Sequence, residues 1–326
     1  MLCEQEAFQW VNERLLEASP STAYVDFMTE PWTGEGVREV GTRALAALRE
    51  FVPQRFRSDR PVVPVVRLTG VVGFSTPLKP GLTLAGIART LDRVFAVRNA
   101  AAVALAINSP GGSPAQSHLI FRRIRALAQE KERRVLAFVE DAAASGGYMI
   151  ACAADEIIAD PNSIVGSIGV VGGSFGFDKL IARIGIERRL YTSGEHKGML
   201  DPFLPENPGD VERLKKLQRE IHDDFIALVK SRRGDKLNGP EENLFSGEYW
   251  TGRRALDLGL VDAIGDLRST LRERFGDKVF TPLITGERSL LGRFWGAGRS
   301  ELMQAGLAED MISALEARAM WARYGL

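Results

Sequence analysis

Val135-Leu136-Ala137-Phe138-Val139, then Ala142-Ala143-Ala144-Ser145-Gly146-Gly147-Tyr148, is an apolar run that ends in a serine set among small residues. A second apolar run, from Met149 to Ala154, follows at once. The spacing predicts a buried strand, a tight turn at Ser145 and a short helix. A serine at such a turn has an exposed hydroxyl, a backbone N–H on the next residue and the positive end of a helix dipole nearby. Those are the parts a nucleophile needs.

The same grammar repeats on both sides. Residues 62–68 are a β-branched run in which Pro64 signals an edge strand. Residues 84–97 have helical spacing. Residues 102–107 are continuously apolar, as in a strand covered on both faces, and end at Asn108-Ser109-Pro110-Gly111-Gly112-Ser113-Pro114. A helix is expected over 115–131, strands over 156–159 and 188–192, and helices over 177–184, 210–232 and 251–258. Strand, turn and helix in alternation read as α/β with a largely parallel sheet. Residues 1–60 form a helical extension with patterns near 8–16 and 37–51. Residues 61–267 form the main domain, and residues 268–326 a second extension with an amphipathic helix over 302–324.

Composition bounds the partners. The 326 residues carry 42 basic and 42 acidic side chains, a net charge of zero. That balance exerts no long-range pull on phosphate backbones, so nucleic acid is not expected. Two cysteines (Cys3 and Cys152) and three histidines (His118, His196 and His222) give neither a disulfide framework nor a metal cluster. No metal or organic cofactor is expected. The start, Met1-Leu2-Cys3-Glu4-Gln5-Glu6, lacks the basic and apolar regions of a secretory signal. Uncharged windows such as 99–117 and 161–177 are broken by Pro, Gly, Ser or Asn and do not read as membrane spans. The expected location is cytoplasmic, or peripheral to a membrane.

A serine needs a base. His118 falls inside a helix and reads as a structural or surface residue, and His222, mid-helix beside Asp223 and Asp224, reads as a solvated or paired side chain. His196 lies in a loop and is a rival base. Lys197, in Ser193-Gly194-Glu195-His196-Lys197-Gly198 after an expected strand, is the better candidate. A lysine acts as a base only when neutral, which moves its pKa from about 10.4 toward ~7–8, about 4 kcal/mol in differential interaction. Burial among apolar groups supplies that shift. The Gly146 N–H is one natural oxyanion donor, and Gly111 or Gly112 of the Pro110 turn is the second. Gly172-Gly173-Ser174-Phe175-Gly176 matches a second serine pattern, G-x-S-x-G, but only His196 and His222 follow it.

Asn108-Ser109-Pro110-Gly111-Gly112, Ala144-Ser145-Gly146-Gly147-Tyr148 and Gly166-Ser167-Ile168-Gly169-Val170 together resemble the S49 peptidases, the signal peptide peptidase A group of the ClpP/crotonase superfamily. Lys197 with Asp201-Pro202-Phe203, and Thr251-Gly252-Arg253-Arg254-Ala255-Leu256 with Gly259-Leu260-Val261-Asp262, extend the resemblance over about residues 62–266. The resemblance implies a spiral of repeated ββα units and a Ser/Lys dyad. Ser145 would be the nucleophile, Lys197 the general base, and Gly146 with Gly112 or Gly111 the oxyanion donors. It also implies a homo-oligomeric ring, with eight subunits as one candidate number, in which neighbours can complete the dyad, and hydrophobic peptides such as signal-peptide remnants as substrates. Ile164, Val165, Ile168 and Val170 are expected to line the substrate groove. The chain departs from the family pattern in showing no N-terminal anchor and in placing His196 where an aromatic residue is common. Two rival readings use the same fold: an acyl-CoA enzyme of the crotonase type, and an inactive scaffold that binds peptides.

Overall fold

The computed structural model describes residues 60–73, 81–285 and 318–324. The chain divides into residues 1–59 and 60–326, and the described residues belong to the second unit. The helices expected within 1–60, and most of that expected over 302–324, lie outside them.

The elements in chain order are β1 (Val65–Thr69), α1 (Leu84–Phe95), β2 (Val103–Ser109), α2 (Pro114–Glu130), β3 (Val135–Ala144), α3 (Gly146–Ala151), β4 (Glu156–Ala159) and β5 (Ile164–Gly166). They continue with α4 (Asp178–Arg183), α5 (Pro208–Arg233), α6 (Glu241–Leu244), β6 (Tyr249–Thr251), α7 (Gly252–Asp257), β7 (Ala263–Ile264) and α8 (Leu267–Phe275). The main sheet runs β1-β2-β3-β4-β7, and every pairing along it is parallel. This is the α/β architecture expected, and the long helices begin where the sequence signals them. Ser113 caps α2 by accepting from the Gln116 N–H, and Pro114 stands in its first turn. Asn207 caps α5 in the same way, with Pro208 behind it.

β3 forks the sheet. Its first half, Leu136 to Val139, pairs with β4, and its last three residues, Ala142 to Ala144, pair with β5. β5 then takes β6 on its other side in antiparallel register.

Strand alternation divides the core. Val103, Leu105 and Ile107 of β2 face the larger cluster with α1, α2, α3 and α5, whereas Ala104 and Ala106 face a smaller one closed by Leu271 of α8. Pro64 precedes an edge, as expected, but the edge is covered. The Val63 and Val65 N–H groups donate to the carbonyls of Phe280 and Pro282, both at 2.9 Å, and Ile284 N–H donates back to Val65. Residues 268–284 therefore pack on the same unit as the sheet.

One expected strand is absent. Residues 188–192 are irregular and exposed, as are residues 171–177, so the apolar pattern there finds no sheet partner. Residues 171–206 form an arm that leaves the sheet after β5 and returns at the start of α5. Val171, Phe175 and Tyr191 on it are 71%, 80% and 89% exposed.

Candidate active site

Ser145 stands between the last residue of β3 and the first of α3. Its backbone is held at φ 51°, ψ −121°, a region that costs a non-glycine residue on the order of 1–3 kcal/mol. Both neighbours hold it there. Its N–H donates to the Gly166 carbonyl of β5 at 2.7 Å, and its own carbonyl accepts from Met149 N–H of α3 at 3.0 Å. The turn thus points the serine side chain away from both ladders, as at a strand-to-helix elbow.

The loop after β2 closes against this turn. Asn108 bridges the two strands at a register shift, its amide donating to Asp141 at 2.5 Å and its oxygen accepting from Ala142 N–H at 3.3 Å. Buried Ser109 donates to the Gly70 carbonyl at 2.7 Å and accepts the Gly111 N–H at 3.2 Å. Gly111 adopts φ +96°, and a β-carbon on it would lie 2.8 Å from Ser145 Cβ and 2.7 Å from Gly146 N. Only glycine allows so close an approach. The parallel bridge between Val72 and the loop uses the Gly111 carbonyl and the Ser113 N–H, so the Gly112 N–H faces away from it.

Two backbone donors therefore converge beside the serine. Among the described residues, neither the Gly146 nor the Gly112 N–H donates to a protein acceptor. A β-carbon on Gly146 would lie 3.4 Å from the Gly112 nitrogen. Such a pair can hold the oxygen of a tetrahedral acyl-transfer intermediate. Gly111 cannot serve as second donor in this arrangement, because its N–H is spent on Ser109.

Lys197 lies elsewhere in the chain, exposed on the arm, where its own N–H donates to the Gly194 carbonyl at 3.2 Å. No hydrogen bond among the described residues joins it to Ser145. His196 is equally exposed and lines an open cleft of about 620 Å³ between the arm and the start of α5. His222 meets the Ile168 carbonyl at 3.1 Å and His118 stacks on Phe121, and neither is hydrogen-bonded to Ser145 among the described residues. Ser174 sits in exposed, irregular chain with no strand before it, so the second serine pattern forms no elbow.

Two of the four expected groove residues are corrected. Val165 and Ile168 are 0% exposed and belong to the larger core. Alternation along β5 turns Val165 inward while leaving Ile164 half-buried, and Val170 is half-buried beyond it.

Two features escaped the sequence reading. Tyr324 reaches the rim of the site: its hydroxyl lies 3.3 Å from Ser167 Oγ and 3.4 Å from the Pro110 carbonyl. Its ring meets Tyr249 edge-on, and the Tyr249 hydroxyl donates to the Arg323 carbonyl. Behind α3, buried Arg233 bonds Asp262 at 2.6 Å and donates twice to the Gly259 carbonyl. Asp262 also accepts from Lys236 and from Ile157 N–H, both at 2.7 Å. Burial works to raise the Asp262 pKa, but these donors outweigh it and hold it below the usual carboxylate range. Burial pushes the Cys152 thiol up to about 12, so this cysteine is no rival nucleophile.

A largely parallel α/β sheet carries a strained serine at a strand-to-helix elbow, faced by two N–H groups without an acceptor among the described residues, an arrangement with the parts that acyl transfer needs. Peptidase family S49 matches residues 127–275 by its sequence model. The putative protease slr0021 of Synechocystis is 30% identical over 220 residues, 64% of this chain and 78% of that protein. The chain belongs to peptidase family S49. It is also 35% identical over 184 residues to the chloroplastic serine protease SPPA of Arabidopsis thaliana, 54% of this chain and 26% of that one. A Brucella abortus protein named Na(+)/H(+) antiporter NhaA is 53% identical over 287 residues, 86% of this chain. The chain spans 39% of that protein's length, and its name describes the longer polypeptide. Among the described residues here, no helix is long and apolar enough to cross a membrane. A variant of the 1510-N membrane-bound stomatin-specific protease superposes with a TM-score of 0.42 at 18% identity, over 70% of this chain and 99% of that one.

Proposed function

We propose that the chain is a serine endopeptidase that cleaves hydrophobic peptides through an acyl-enzyme on Ser145. The observation that carries this reading is the strained serine beside two unpaired N–H groups, Gly146 and Gly112. Strain of this kind persists at functional turns because the surroundings over-determine it.

In this reading the neutral amine of Lys197 takes the Ser145 proton as Oγ bonds to the peptide carbonyl carbon. The carbonyl π pair moves to oxygen, where the Gly146 and Gly112 N–H groups hold the charge. As the intermediate collapses, the C–N bond breaks and the protonated lysine gives its proton to the leaving amine. Water, deprotonated by the same lysine, then hydrolyses the ester. Half-buried Ile164 and Val170 flank the site and favour apolar substrate side chains.

A second copy of the chain supplies the lysine. Lys197 rides on an arm whose large apolar side chains stand exposed, among them Phe175 and Tyr191. Packing that arm against a neighbour covers this surface and takes the amine out of water, which favours its neutral form. The assembly is a closed homo-oligomer, for which a ring is the geometry generated by a head-to-tail contact.

The test is cleavage of a hydrophobic peptide library by the wild type, Ser145→Ala and Lys197→Ala, with the mass of any acyl adduct and folding checked by circular dichroism. Loss of cleavage in both variants supports the reading. Full turnover in either removes that residue from the mechanism, and a wild type that neither cleaves the library nor forms an acyl adduct favours a scaffold or a thioester enzyme.

A further inference from the structure

The hydrogen bonds at the far end of α3 point to a device that the proposed reaction depends on without touching. α3 has only six residues, Gly146 to Ala151, and at about 1.5 Å per residue is about 9 Å long. A helix this short moves as one piece. Its last turn is closed by the N–H groups of Cys152, Ala153 and Ala154, and the carbonyls of these three residues, just beyond the helix, have no helical donor of their own.

Two arginines take all three. Arg232, one residue from the end of α5, donates through Nε to the Cys152 carbonyl and through Nη2 to the Ala154 carbonyl, both at 2.9 Å. Arg125 of α2 donates to the Ala153 carbonyl at 3.0 Å. Asp155 holds both guanidiniums, with its Oδ1 2.8 Å from Arg125 and 3.3 Å from Arg232. Its other oxygen accepts the Val135 N–H at 2.9 Å, and its own N–H donates to the Val135 carbonyl at 2.8 Å.

Val135 is the first residue of β3, and β3 runs directly into Ser145. The strand and helix therefore form a closed unit with Ser145 at the apex, clasped at its open end by Asp155 and Arg232. Because α5 begins where the lysine-bearing arm returns, Arg232 also joins that arm's helix to the back of the serine helix.

We propose that Arg232 is a positioning residue for Ser145: by clasping the far end of α3 it fixes the attitude of the nucleophile and of the adjoining Gly146 N–H. One guanidinium fork spans two carbonyls at once, which a lysine ammonium on a single tether does not reproduce. Tilting α3 by a fraction of an ångström at the apex takes Oγ off the line of attack, and misplacement of about 1 Å costs on the order of 100-fold. This proposal rests on the serine-hydrolase reading above.

The experiment uses the full chain and two probes: a fluorophosphonate that counts reactive serines, and a hydrophobic tripeptide aminomethylcoumarin amide. Acylation rate per labelled site, kcat, KM and melting temperature are measured for wild type, Arg232→Gln, Arg232→Lys and Asp155→Asn. Arg232→Gln is expected to lower acylation rate and kcat per titrated site by about tenfold to 100-fold, with KM within about twofold. Arg232→Lys recovers part of the loss, and Asp155→Asn falls between. An unchanged rate per titrated site in Arg232→Gln, with fewer sites or a lower melting temperature, shows a merely structural clasp and overturns the proposal. Should Arg232→Gln not fold, Arg232→Lys carries the same test: a full wild-type rate per site overturns it. Failure of the underlying reading looks different, because the wild type itself then shows no labelling that Ser145→Ala removes.

Discussion

Gly111 and Ser145 are packed so closely that a single β-carbon on the glycine would stand 2.8 Å from the serine's own Cβ. The glycine also sits at φ +96°, where an L side chain is strained whatever the space. Gly111→Ala must therefore push the loop off the elbow and carry the Gly112 N–H with it. The expected outcome is loss of kcat by about 100-fold or more, the scale of one lost oxyanion donor. Active-site titration alongside circular dichroism checks it, since the sheet itself does not need to move.

Mixing tests where the lysine comes from. Ser145→Ala and Lys197→Ala protomers, each inactive alone, are dissociated, combined in equal amounts and reassembled. When neighbours share a site, random assembly leaves about one quarter of the sites with both groups intact. Recovery near that fraction of wild-type turnover is the expected result. No recovery, in a mixture shown by mass to contain mixed oligomers, places both groups in one protomer.

Arg233 and Asp262 bear on stability. Arg233→Met removes one of the two cations at Asp262 and both side-chain donors to the Gly259 carbonyl, leaving the carboxylate to Lys236 and the Ile157 N–H, a loss expected to cost about 1–3 kcal/mol. Chemical denaturation should show that loss. Arg233→Met combined with Asp262→Leu measures the coupling of the pair and is expected to recover only part of the loss, because the Ile157 N–H and the Gly259 carbonyl stay without these partners.

The same pair sets an acid limit. Asp262 has a lowered pKa in the folded protein, so folding is favoured by its ionised form. That contribution is complete above the unfolded carboxylate value of about 3.9 and is lost as pH falls through the lower, folded value. Thermal melts between about pH 6 and pH 2 should show a decline that steepens below about pH 4, and Asp262→Asn should flatten it.

Tyr324 caps the rim formed by Pro110 and Ser167, each next to a residue that contacts the Ser145 turn. A peptide approaching Ser145 across this rim displaces the Tyr324 hydroxyl from Pro110 and Ser167. Tyr324→Ala is expected to lower KM for the coumarin peptide by a few-fold, with kcat changed less, as read from steady-state kinetics. An unchanged KM would mean that the ring does not compete with substrate.

The elbow was legible in the sequence because it is local: an apolar strand, a serine and two glycines within a dozen residues. Gly111 and Gly112 were legible as a turn, but the choice between them was not. It depends on Ser109 taking the Gly111 N–H, a contact between side chain and loop that no periodicity reveals. Residues 188–192 read as a strand because alternation looks the same whether it meets a sheet or is left bare. Val165 and Ile168 read as groove residues for a related reason: an apolar side chain in a strand or in the loop after it does not announce whether it faces the core or the surface. Arg232 and Arg233, adjacent basic residues at a helix end, carried no signal of their separate tasks, since one grips loose carbonyls and the other neutralises a buried acid.

One strand of this protein serves three ladders, and the Ser145 turn begins where the last of them ends. Sliding the turn would break register with all three neighbours together, so the unusual dihedral angles at Ser145 are set by the sheet and not by a bound peptide. A crystal of the trapped ester should therefore overlay the free protein through residues 142–148, with rearrangement confined to the peptide and to whatever side chains greet it.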